Sequence, residues 1–66
     1  PWPKTAPEQA RAIADLLART RTALTVDQIA DHYTARGRWR DRLPQLLETL
    51  AALGRARRDG EGWRGA

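Results

Sequence analysis

The chain has 66 residues, a formal net charge of +4, no cysteine and one histidine, His32. These values predict one small domain with a modest core, and they exclude disulfide frameworks, cysteine-rich zinc sites and thiol catalysis. No apolar run approaches the ~20 residues needed to span a bilayer, and no secretory signal pattern is present, so we expect no membrane partner and a cytoplasmic location. Since no initiating methionine is present, we expect the sequence to be a piece of a larger protein.

Positive charge is concentrated in the second half of the chain. Residues 1–32 hold four basic and four acidic side chains, which cancel, whereas residues 33–66 hold eight arginines against four acids. Clustered positive charge favours contacts with polyanions. The alternative interpretation is a solvated surface in a protein from an arginine- and alanine-rich proteome.

The chain opens with prolines at positions 1 and 3, which favour extended backbone. Residues 1–4 are predicted to be a linker from a preceding region, with Trp2 packing this linker against a domain over residues 5–66. Thr5 and Glu8 have the spacing of a capping box. An apolar face that includes Ile13 and Leu17 follows, so a first helix is predicted over about residues 6–19.

A connector follows, in which Ala23-Leu24 is predicted to form a very short strand that pairs with a later hairpin. Thr25 and Gln28 repeat the capping-box spacing. Apolar residues then recur at helical spacing as far as Tyr33, which predicts a second helix over about residues 26–35, stopped by Gly37.

The next segment has the clearest helical periodicity, with leucines at positions 43, 46, 47, 50 and 53. Asp41 is a candidate cap, which places Pro44 in the first turn, and Gly54 suits the left-handed residue that ends a helix. A third helix is therefore predicted over residues 41–53. The expected core consists of Ile13, Leu17, Ile29, Leu46, Leu47 and Leu50.

Short basic segments flank Asp59-Gly60-Glu61-Gly62 at the end of the chain. Asp-Gly between extended segments is a strong hairpin signal, so a hairpin turning at Asp59-Gly60 is predicted. Trp63 is expected to cover the end of the leucine helix. The predicted fold class is mainly α with a small β-hairpin.

The predicted order of helix, short strand, helix, helix and hairpin resembles the winged helix-turn-helix fold, which has three helices plus a wing. The segment Leu46–Ala56 resembles the junction between the third helix and the wing, and Leu24–Ala30 resembles the start of the second helix. Trp2-Pro3-Lys4 with Pro7-Glu8-Gln9 further resembles the tail of bacterial class I S-adenosylmethionine-dependent DNA methyltransferases of restriction or defence systems. This second resemblance implies a C-terminal accessory domain, with catalysis on another part of the parent protein.

The resemblance implies that double-stranded DNA is the partner, held mainly through its phosphates. The third helix offers few residues suited to base reading, whereas arginines precede the helix and occupy the wing. The expected DNA-binding residues are Arg36, Arg38, Arg40, Arg42, Gln45, Thr49, Arg57, Arg58 and Arg64. The alternative function is a protein–protein interaction or dimerisation module on the same fold, which contacts other domains of the parent or a second copy.

No catalytic site is expected in this segment. His32 has Asp31 beside it, but helix neighbours project about 100° apart and form no hydrogen-bonded dyad. The chain has no Ser or Cys nucleophile, no glycine-rich phosphate loop and no metal-ligand set, so no cofactor is expected.

Overall fold

The computed structural model describes residues Trp2–Ala66 and has three helices followed by a two-stranded antiparallel hairpin. The elements are α1 (Ala6–Arg19), α2 (Val26–Ala30), α3 (Trp39–Ala52), β1 (Ala56–Asp59) and β2 (Gly62–Gly65). The predicted class, mainly α with a small hairpin, is therefore confirmed.

Helix α1 has the predicted bounds, and its N-terminal cap differs from prediction in one contact. The Thr5 hydroxyl accepts the Glu8 N–H at 3.4 Å and donates to the Glu8 carboxylate at 2.5 Å. Glu8 therefore contacts the threonine hydroxyl and not the threonine backbone N–H that a capping box predicts. The buried face of the helix consists of Ile13, Leu16 and Leu17.

Helix α2 is shorter than predicted, since it ends at Ala30 and not near Ala35. Its capping box is formed: Thr25 accepts the Gln28 N–H at 3.2 Å, and the Gln28 side chain accepts the Thr25 N–H at 2.9 Å. After Ala30 the backbone turns more tightly, because the N–H of His32 and that of Tyr33 each donate to a carbonyl three residues earlier. The turn brings Tyr33 against other aromatic rings instead of extending the helix.

Helix α3 begins at Trp39, two residues before the predicted start, and ends at Ala52. Its N-cap residue is Arg38, which provides no side-chain cap, so the predicted capping role of Asp41 is wrong. Pro44 consequently lies in the second turn rather than the first. There it removes the N–H that would bond to the Arg40 carbonyl, on the exposed side of the helix.

The hairpin pairs Ala56 with Gly65 and Asp59 with Gly62, so its two-residue loop is Gly60-Glu61, one residue later than predicted. Gly60 has φ +63° while Glu61 has negative φ, which is the pattern of a type II′ turn. The predicted short strand is also confirmed as an isolated bridge, in which Leu24 and Trp63 exchange two backbone hydrogen bonds of 2.9 and 2.7 Å. Strand β2 therefore lies between Leu24 on one side and β1 on the other.

Two glycines of β2 allow its close approach to the helical layer. A Cβ at Gly62 would lie 3.0 Å from the backbone of Leu24, and one at Gly65 would lie 3.1 Å from the Cα of Ala18. The hairpin consequently packs directly on the connector and on α1.

One core lies between the helices and the inner face of the hairpin. Five of the six predicted core residues are buried, and Leu46 is partly exposed at the edge. Trp63 covers the core from the hairpin, and Trp39 covers it from the start of α3. The buried set is Ile13, Leu16, Leu17, Ile29, Ala30, Trp39, Leu43, Leu47, Leu50, Ala56 and Trp63.

Candidate nucleic-acid interface

The exposed surface of α3 consists of two rows with different chemistry. Residues 42, 45 and 49 follow helical spacing and form one row, which is basic and polar: Arg42, Gln45 and Thr49. Residues 41, 44 and 48 form the neighbouring row, which carries two carboxylates: Asp41, Pro44 and Glu48. The two rows therefore give the two sides of the exposed helix surface opposite charge.

A basic groove lies on the Arg42 side of α3, between the N-terminal segment and the loop that precedes the helix. It has a volume of about 410 Å³, and Trp2 and Trp39 are among its lining residues. Four cationic residues line it, and no acidic residue does: Lys4, Arg36, Arg38 and Arg42. We call these four residues the groove cations. All four are exposed, and none forms a side-chain hydrogen bond or ion pair with any of residues 2–66.

An aromatic cluster holds the N-terminal segment in place beside this groove. The Trp2 ring stacks on Trp39 with centroids 4.7 Å apart and meets Tyr33 edge-on at 4.8 Å. The Gln9 side chain also donates to the Pro3 carbonyl at 2.9 Å. Trp2 therefore packs this segment against the domain as predicted, and Lys4 lies beside three arginines that follow it by more than 30 residues.

A smaller cavity of about 200 Å³ continues the groove along α3. It shares Trp2, Trp39 and Arg42 with the basic groove and extends to Gln45 and Thr49. The Thr49 hydroxyl donates to the Gln45 carbonyl at 3.0 Å, so it offers a ligand an acceptor. The predicted base-reading pair and three predicted arginines, at positions 36, 38 and 42, thus line one continuous surface.

Arg40 lies apart from this surface, although its sequence neighbours suggested otherwise. Residues two apart on a helix face different sides, so Arg40 and Arg42 diverge. The Arg40 guanidinium lies 3.9 Å from the Asp31 carboxylate and 5.4 Å from the Trp39 ring centroid. Arg40 is thus partly neutralised by a protein contact.

The hairpin arginines, Arg57, Arg58 and Arg64, lie mostly in contact with the protein itself. Arg64 donates to Asp59 at 3.3 Å and to the Arg21 carbonyl at 2.9 Å. Arg58 lies 5.2 Å from the Trp63 ring centroid and donates weakly to the Gly60 carbonyl at 3.4 Å. Arg57 pairs across the strands with Arg64 and makes none of these contacts.

Titratable chemistry is sparse in this region. Burial is the main cause that raises the pKa of the Tyr33 phenol above its ordinary value; Arg19 lowers this pKa and Asp15 raises it. Tyr33 is therefore neutral at physiological pH and acts as a packing residue. His32 is exposed, and no group of three or more metal-ligating side chains occurs within residues 2–66.

Sequence reasoning missed Lys4, which had been assigned to the linker, and Gln9, which fixes the segment that carries it. The available signal was Trp2, because a tryptophan that packs on the domain also fixes the position of residues close to it.

No helix among the described residues is long and apolar enough to cross a membrane.

Comparison of the chain with protein-family models, with curated proteins and with solved structures finds no match.

Proposed function

We propose that this chain is a winged helix-turn-helix domain that binds duplex DNA, mainly through its phosphates and with little choice of sequence. The observation that carries the proposal is the groove on the Arg42 side of α3, where arginines from the preceding loop lie beside the polar row of the helix. The order of elements supports the fold assignment, because α2 and α3 precede a hairpin whose second strand also pairs with Leu24.

Charge is the physical basis of the proposed interaction. Unpaired like charges around one groove repel each other, and a polyanion removes this repulsion while releasing its own counterions. Phosphate contacts of this kind carry no sequence information. Gln45 and Thr49 are the residues on this surface suited to touching base edges, and Asp41 and Glu48 on the neighbouring row oppose deep entry of α3 into a groove of DNA.

The parent protein in this proposal is a larger bacterial DNA-modifying enzyme, for which the domain holds DNA. The basis is the resemblance of Trp2-Pro3-Lys4 and Pro7-Glu8-Gln9 to the tails of class I DNA methyltransferases. The segment itself performs no catalysis in this account, and it needs no cofactor.

A titration of a fluorescent duplex at several salt concentrations tests the proposal. We expect a dissociation constant of ~10⁻⁴–10⁻⁶ M at physiological salt, with log K falling by about 0.9 for each phosphate contact per unit of log salt. Duplexes of unrelated sequence should bind similarly. A flat titration at 50 mM salt with folded protein would refute DNA binding.

Self-association is a second candidate function, favoured by an apolar surface between α1 and the end of α3. Leu53 is 69% exposed, and it borders a surface depression of about 410 Å³ with Pro7, Ala10 and Ala14. An exposed leucine beside small apolar residues suits contact with another protein surface. Sedimentation equilibrium tests this function: a dimer that Leu53→Lys dissociates would support it, and a monomer at millimolar concentration would refute it.

A further inference from the structure

We propose that Lys4 is a phosphate-binding residue of the interface, and that Trp2 is the positioning residue that holds it there. This inference rests on the proposed function and deepens it, since it assigns part of the DNA site to the segment that leads into the domain. The ligand is the sugar–phosphate backbone of duplex DNA.

The lining of the groove is basic and comes from two distant segments of the chain. Lys4 shares the groove with Arg36, Arg38 and Arg42, and no carboxylate lines it. Removing one charge from a set of clustered cations weakens phosphate binding by one contact, whichever part of the chain supplies that charge. Lys4 therefore contributes one positive charge to the groove, as each of the three arginines does, although it belongs to a different segment.

Side-chain packing positions Lys4. Residues 2–4 belong to no helix or strand, so their place depends on the contacts of their side chains. Trp2 supplies this packing through its contacts with Trp39 and Tyr33, at 4.7 and 4.8 Å between ring centroids. Aromatic pairs of this geometry stabilise a contact beyond the apolar area that they bury. Gln9 adds a hydrogen bond to the Pro3 carbonyl, immediately before Lys4.

Binding of DNA by Lys4 and packing of Trp2 are coupled, because both residues belong to one short segment. Bound DNA holds Lys4 in the groove and therefore favours the packed position of Trp2. By linkage, a change that releases Trp2 weakens DNA binding, and DNA binding in turn fixes the segment against the domain.

The test compares Lys4→Gln with the matched control Arg11→Gln. Both variants lose one positive charge, but Arg11 is exposed on α1 and borders the depression beside Leu53, not the groove. We expect Lys4→Gln to reduce the log–log salt slope for duplex binding by about one, so that it loses roughly 3.5-fold less affinity than the wild type between 50 and 200 mM salt. Arg11→Gln should leave the slope nearly unchanged.

Trp2→Ala supplies a readout that a purely electrostatic effect of net charge would not give. This variant keeps every charge, yet we expect it to lower the slope by about the same amount, with Trp2→Phe restoring most of it. The double variant with Lys4→Gln should show no further loss.

The possible failures are distinguishable. If wild-type protein shows no salt-dependent binding, the proposed function is wrong. If wild-type protein binds but Lys4→Gln matches Arg11→Gln, the inference about Lys4 is wrong and the proposed function stands. If Lys4→Gln lowers the slope but folded Trp2→Ala binds like the wild type, the positioning role of Trp2 is wrong.

Discussion

The groove cations and the hairpin arginines carry the same positive charge but lie in different surroundings. Arg36, Arg38 and Arg42 line a groove without a carboxylate, whereas Arg58 and Arg64 contact an aromatic ring, an aspartate and backbone carbonyls of the protein. An exposed arginine binds a phosphate more readily when it has fewer contacts with its own protein to give up. In the proposed function, the main phosphate-binding surface is therefore the groove at the start of α3 and not the hairpin.

The cause of this difference is local. Asp59 lies in β1 two residues after Arg57, on the strand face that Arg57 shares with Arg64. The aspartate thus offsets the repulsion between two arginines placed directly opposite each other. Around the groove, by contrast, no carboxylate is among the lining residues, and Asp31 pairs with Arg40, which does not line the groove.

The largest expected effect separates folding from binding. Leu50→Ala removes a side chain that is 3% exposed and should cost about 2–5 kcal/mol of unfolding free energy, enough to unfold so small a domain. Leu53→Ala is the matched control three residues later, where the side chain is 69% exposed, and it should change stability by less than about 0.5 kcal/mol. Equal thermal midpoints for the two variants would contradict the core described above.

A smaller effect is expected from Gly62→Ala, which tests how the hairpin docks. The added Cβ would lie 3.0 Å from the Leu24 carbonyl carbon and oxygen, so we expect a loss of about 1–3 kcal/mol in chemical denaturation. Because the groove cations lie elsewhere, the folded fraction of this variant should retain the wild-type salt slope. A large drop in that slope would show that the hairpin contributes more phosphate contacts than its geometry indicates.

Asp59→Asn should sharpen the comparison by removing the ion pair of Arg64, which keeps its hydrogen bond to the Arg21 carbonyl. The exposed pair contributes at most about 1 kcal/mol, so stability should hardly change. The lost ion pair and the lost negative charge should make the salt slope for duplex DNA steeper, by up to about one. Glu61→Gln is the control, because it removes the same charge from the turn without breaking a contact of Arg64. Identical slopes for the two variants would mean that Arg64 is already available in the wild type.

The smallest effect is expected at His32. This side chain is exposed and no hydrogen bond or ion pair joins it to other described side chains, so His32→Gln should change unfolding free energy by less than about 0.5 kcal/mol and leave DNA binding unchanged. If the proposed parent enzyme is assayed, its turnover should also be nearly unchanged. A loss of turnover beyond ~10²-fold with folding intact would indicate an acid–base role for His32.

Periodicity and glycine placement predicted most of the fold, because local chemistry determines these features. The leucine spacing of α3, the capping box at Thr25 and the left-handed glycine at position 54 all have the predicted structural consequence, and Gly60 lies in the hairpin turn. Gly37 does not stop α2 as predicted, because that helix already ends at Ala30. The errors occurred where long-range packing competes with local preference. Tyr33 packs on Trp2 instead of extending α2, and Trp39 begins α3 although Asp41 has the better capping side chain.

The candidate site was harder to predict for the same reason. Sequence order placed Arg36, Arg38, Arg40 and Arg42 in one group, but helix geometry directs Arg40 away, and the aromatic cluster brings Lys4 in from the other end of the chain. Neither rearrangement leaves a local signature in the sequence. The surroundings of each charge depend on contacts between segments, and residue type alone does not encode them.

The most direct test of the account is an NMR titration of the protein with duplex DNA at 50 mM salt, read from the indole N–H signals of its three tryptophans. Trp2 and Trp39 line the basic groove, whereas Trp63 belongs to the hairpin and is buried in the core, so that it serves as an internal reference. The account predicts that the Trp2 and Trp39 signals shift progressively with added DNA while the Trp63 signal moves little. Shifts confined to Trp63, or no shift of any indole with DNA in excess, would contradict it.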